Sequence, residues 1–71
     1  MYEAKKILAK ALLHPEKDIP TDAHLETFDK WDSLGHMRLI LEIENILDRD
    51  LTTVEVVSIR SVKDIENLIS N

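Results

Sequence analysis

Apolar residues return with a helical period in four stretches of this chain. Ala4, Ile7, Leu8, Ala11 and Leu12 stand at i, i+3, i+4, i+7 and i+8, one face of a helix. Lys5, Lys6 and Lys10 lie off that stripe, and the pattern predicts a helix from about Tyr2 to Leu13. Pro15 disfavours helical backbone at His14 and is expected to close it. Residues 14–31 show no period of their own. Ile19, Leu25, Phe28 and Trp31 are spaced irregularly there and are expected to pin a long connection across the helices. Trp31 either packs or stands exposed beside Ser33 as a contact residue. A second helix is predicted from Asp32 or Ser33 to about Leu47. A short third one starts at Thr52 or Thr53, where Thr52-x-x-Glu55 fits a capping box. Ser61-x-x-Asp64 offers a weaker cap for a last helix through Val62, Ile65, Leu68 and Ile69. One glycine and two prolines leave too few turn formers for an all-β fold. The expected fold is therefore all-α: a small four-helix bundle, one domain over 1–71, with a long loop between helices 1 and 2 and a short third helix.

The second helix carries two apolar groups. At 100° per residue, Leu39, Ile40, Ile43, Ile46 and Leu47 span one broad side, which is expected to face the core. Leu34, Met37 and Leu41 gather on another side, with Arg38, Glu42 and Asn45 between the two groups. A bundle helix needs only one buried stripe. The second patch, flanked by Glu44 and Ser33, either docks a partner or packs under the long loop.

Size and charge narrow the function. A chain this short buries only about 60% of its unfolded surface, which argues against a deep catalytic cavity. Fourteen acidic and nine basic residues give a net charge of −5. The stretch from Asp32 to Glu55 holds six acids (Asp32, Glu42, Glu44, Asp48, Asp50 and Glu55) against Arg38 and Arg49 alone. Such a field repels nucleic acid; it either steers basic protein surfaces toward this segment or merely keeps a small domain soluble. There is no cysteine, hence no disulfide, thiolate metal site or redox pair. No apolar run approaches the roughly 18 residues of a membrane span, and the charged opening MYEAKK does not read as a signal peptide. A monomer in the cytoplasm is expected.

Ser33 is the residue of chemical interest. Unpaired N–H groups and the helix dipole make a helix N-terminus a natural phosphate site. The simpler reading is that Asp32 and Ser33 are ordinary capping residues. Nucleophilic catalysis with His36, three residues on, lacks an oxyanion hole and any Gly-x-Ser-x-Gly elbow. His36 falls toward the core side near the open end of the helix, as a spacer or the edge of a cargo entrance. His14 and His24, with Asp18 and Asp22, do not match a metal-ligand spacing.

Asp32-Ser33-Leu34, the helix HMRLILEIENIL and the run DRDLTTVEVVSIRSVKDIENLI together resemble the acyl carrier or peptidyl carrier protein family. The resemblance holds without gaps from Asp32 to about Ile69 and more loosely before it. It implies a four-helix bundle with a 4′-phosphopantetheine arm, taken from coenzyme A, on Ser33 between Asp32 and Leu34. The arm's thiol would hold an acyl or aminoacyl group, which suits a chain without cysteine. It implies Leu34, Met37, Leu41, Glu44 and Val56 as partner contacts, and Leu39, Ile43 and Ile59 as lining for a sheltered cargo. The implied partners are a phosphopantetheinyl transferase, a loading ligase and downstream transferase or synthase enzymes. Two departures favour a carrier of a specialised biosynthetic pathway over a fatty-acid one. Asp29-Lys30-Trp31 replaces the usual Leu-Gly-x, and Gly35 and Arg38 stand where acids are common. The expectation is a free-standing carrier, itself not an enzyme; the alternative is an unmodified docking module using the Leu34, Met37 and Leu41 face.

Overall fold

The first amphipathic stretch forms α1, Ala4–Leu12, in the computed structural model, which describes residues 3–70. The expected start at Tyr2 lies outside the described residues. The helix stops one residue before the expected end, and its own backbone closes it. Leu13 turns into the left-handed region (φ 54°, ψ 44°). Its N–H bonds Lys10 O at 3.3 Å and that of His14 bonds Ala9 O at 3.0 Å. This is a Schellman closure with leucine where glycine is usual.

The connection that follows is anchored throughout. It opens with a 3-10 turn at Glu16–Asp18. Ile19 and Ala23 then enter the core, and Leu25 and Phe28 pack half-buried against it. Its middle crosses to the turn before the last helix. There His24 pairs with Ser61 as an antiparallel bridge, Leu25 N–H bonds Arg60 O at 2.8 Å, and Glu26 forms an ion pair with Arg60. Trp31 ends the segment buried, at 2% exposure, so of its two expected positions it takes the packed one.

α2 (Ser33–Leu47) inserts Leu39 and Ile43 into the core with no exposure, while Ile40, Ile46 and Leu47 cover its edge. Its first turn meets the end of α1 closely. A Cβ on Gly35 would lie 2.4 Å from Leu12 Cδ2 and 3.1 Å from Asp32 Oδ1, so glycine permits that approach. α2 closes through Asp48, also left-handed (φ 55°), with Arg49 N–H on Glu44 O at 3.3 Å.

α3 (Thr53–Ser58) is six residues long and buries none of them. Polar links hold it. The Thr52 capping box is complete: Glu55 N–H on Thr52 Oγ1 at 3.1 Å, and Thr52 N–H on Glu55 Oε1 at 2.9 Å. Arg49 grips the same carboxylate with both guanidinium nitrogens, at 2.9 and 2.7 Å. That fork, followed by the Thr52 N–H, pulls the Glu55 carboxyl down to a pKa of about 2. Ile59, almost fully buried, leads into α4 (Val62–Ile69), whose Ser61 cap takes Asp64 N–H at 3.2 Å. Val62 and Ile65 complete the core with Ile7 and Leu8 of α1. Among the described residues the architecture is thus four α-helices without a strand, a small helical bundle. None of its helices is long and apolar enough to cross a membrane.

Candidate functional site at the start of the second helix

Asp32, not Ser33, is the cap of α2. Its backbone is extended, and its Oδ1 accepts Gly35 N–H at 2.7 Å while its carbonyl accepts His36 N–H at 2.8 Å. Ser33 is therefore the first helical residue, exposed, and among the described bonds its hydroxyl has no partner. The backbone N–H groups of Ser33 and Leu34 are likewise unpaired, two of the donors that the single cap leaves over. An open cleft of about 470 Å³ lies beside the hydroxyl, lined by Leu25, Trp31, Asp32, Ser33 and His36. A phosphate ester fits this position on three counts: an accessible oxygen, unpaired donors at the positive end of a 15-residue helix, and open space beside it.

His36 is committed elsewhere. Its Nδ1 accepts the Trp31 indole N–H at 3.0 Å, and its Nε2 lies 3.2 Å from the Val56 carbonyl oxygen. An indole N–H only donates and a carbonyl only accepts, so the ring is the neutral tautomer with its proton on Nε2. Neither nitrogen is left over to activate Ser33. No group of His, Asp and Glu among the described residues has the arrangement of a metal site.

Leu34, Met37 and Leu41 stand open on α2, at 57%, 64% and 60% exposure. The loop does not cover them, because its middle is tied to Arg60 and Ser61 instead. Val54 and Val57 of α3 are exposed as well. Val56, also expected as a partner contact, is half-buried, and its carbonyl oxygen is the atom that holds His36. Glu44 is half-buried too and accepts Leu51 N–H at 2.8 Å, which ties the loop after α2. Glu42 pairs with Lys10 at 3.3 Å and Glu55 with Arg49, so with the Asp32 cap four of the six acids in this stretch already serve the fold. Asp48 and Asp50 are the exposed remainder.

Leu39 and Ile43 lie in the closed core, and the cleft beside Ser33 does not reach them. Ile59 borders a different cleft of about 280 Å³ between α3 and α4, with Val54 and Leu68. The hydrogen-bonded role of His36 and the exposure of Val54 and Val57 were not foreseen from sequence. The i, i+3 valines on a helix this short were the available signal for the second. The first depends on where the loop and α3 lie. No protein-family model matches the chain, and no curated protein matches it significantly.

Proposed function

We propose that Ser33 is the attachment point of a 4′-phosphopantetheine arm and that the chain is a carrier of acyl or aminoacyl groups rather than an enzyme. The observation that carries this reading is the division of labour at the start of α2. Asp32 supplies the cap, which leaves the Ser33 hydroxyl exposed and unengaged. Such a serine is accessible to a modifying enzyme, and its modification would not cost the helix its cap. When bound, the arm would supply the thiol that the chain lacks, to hold its cargo as a thioester. The residues of the chain then have positional tasks. The first turn of α2 receives the phosphate charge, Leu34, Met37 and Leu41 offer apolar contact to partner enzymes, and Asp48 and Asp50 attract their basic surfaces. A phosphopantetheinyl transferase, a loading ligase and a downstream transferase or synthase are the partners this implies, in a specialised biosynthetic pathway. The closed core at Leu39 and Ile43 favours a cargo presented outside the bundle, since a packed interior admits a chain only by opening.

The exposed apolar set on α2 and α3 also favours a second reading, an unmodified docking module. Thiol titration separates the two. After incubation with coenzyme A and a broad-specificity phosphopantetheinyl transferase, followed by removal of free coenzyme, a carrier gains one reactive thiol per chain. A docking module remains without thiol, and that result, with a known carrier labelled in parallel, would refute the carrier reading.

A further inference from the structure

The polar link between the loop and α3 runs through one imidazole. α3 leaves helical geometry at Ile59 (ψ 102°), and Arg60 N–H bonds the Asp64 carboxylate instead of continuing the helix. The Val56 carbonyl, which Arg60 N–H would otherwise meet, is thereby left for His36 Nε2. On its other side the same ring is fixed by the Trp31 indole, two residues before Ser33. One side chain of α2 thus joins the least buried helix to the segment that delivers Ser33.

We propose that His36 is a positioning residue that couples the placement of α3 to the placement of the loop ending at Ser33. When α3 shifts, as it would under a partner seated on exposed Val54 and Val57, Nε2–H loses its acceptor. The imidazole is then held only by Trp31, and the indole loses its fixed partner in turn. Contact at α3 is felt at Ser33 through two hydrogen bonds, and anything that reorders the Trp31 loop is felt at α3 to the same extent. This coupling goes beyond the carrier reading and does not depend on Ser33 being modified.

Trp31 is the only tryptophan, so its indole N–H is a single resolved reporter. The test frees α3 with the triple substitution Val54→Gly, Glu55→Gln and Val57→Gly, which removes no fully buried side chain, and reads hydrogen exchange at the indole. With His36 present, exchange there should rise about fivefold, the factor corresponding to the net worth of one hydrogen bond. In a His36→Phe background the same triple change should leave indole exchange within about twofold, although α3 amides still exchange faster. An equal indole response in both backgrounds would overturn the proposal, as would no response with His36 in place while α3 amides speed up. Should His36→Phe fail to fold, the triple change alone still tests the link: exchange should rise at the indole and in α3 and stay unchanged at α1 amides, and a uniform rise over all helices would mark general loosening and refute the coupling.

Discussion

Replacing Asp32 with alanine tests the division of labour on which the functional reading rests. The substitution removes one acceptor, the Oδ1 that takes Gly35 N–H at 2.7 Å, and one negative charge at the helix start. An N-cap is worth about 1 kcal/mol. A charge at a helix end adds about 0.3–1 kcal/mol at low salt. The side chain is exposed and fills no core volume, so no cavity cost arises. The expected loss is about 1–2 kcal/mol, which for a domain of this size lowers Tm by roughly 5–15 °C. Asp32→Asn keeps the acceptor and removes only the charge, so it should lose about 0.3–1 kcal/mol. Thermal unfolding followed by far-UV circular dichroism at low and high salt separates the parts, because salt screens the charge and not the cap. Ser33→Ala, measured alongside, should stay within about 0.5 kcal/mol of the wild type. A Tm for Asp32→Ala equal to the wild type, or a larger drop for Ser33→Ala than for Asp32→Ala, would refute the assignment of cap and free hydroxyl.

Leu13→Gly relieves a left-handed leucine that is 75% exposed, and should raise stability by about 0.5–1 kcal/mol after the greater entropy of unfolded glycine is counted, measured by urea unfolding. Glu55 has a folded pKa of about 2 against an ordinary 4.5, so the stability it contributes is complete above the ordinary value and disappears as pH falls toward 2. Unfolding curves between pH 7 and 2 should show Glu55→Gln and the wild type converging over that window, and a gap that stays constant would contradict the fork's role. Met37→Glu should leave stability within about 0.5 kcal/mol of the wild type, while Leu39→Ala should cost about 2–5 kcal/mol, as seen by denaturant midpoint.

The parts of the fold legible in the sequence were those set by neighbours along the chain. The Thr52 capping box, the Ser61 cap and the split between Leu39–Ile43 and Leu34–Met37–Leu41 all rest on spacings of three or four residues, and each appears in the structure. What stayed open depended on distant partners. Whether the loop covers Met37 is decided by Leu25 and Glu26 meeting Arg60, more than thirty residues away. Trp31 is placed by His36, and His36 by Val56, a chain of contacts without a periodic trace. The end of α1 was expected one residue too late because its left-handed closing residue is leucine, which carries none of the signal that glycine would. The acids of the middle stretch all count alike in a charge tally, but Lys10, Leu51 and Arg49 engage Glu42, Glu44 and Glu55 within the fold.

Intact-protein mass reads directly whether Ser33 takes a phosphopantetheine arm. Wild type and Ser33→Ala are weighed before and after incubation with coenzyme A and a phosphopantetheinyl transferase, beside a carrier known to be labelled. The wild type should gain one phosphopantetheine and Ser33→Ala none. An unmodified wild type that gains nothing while the control is labelled, or an equal gain on Ser33→Ala, would contradict attachment at Ser33.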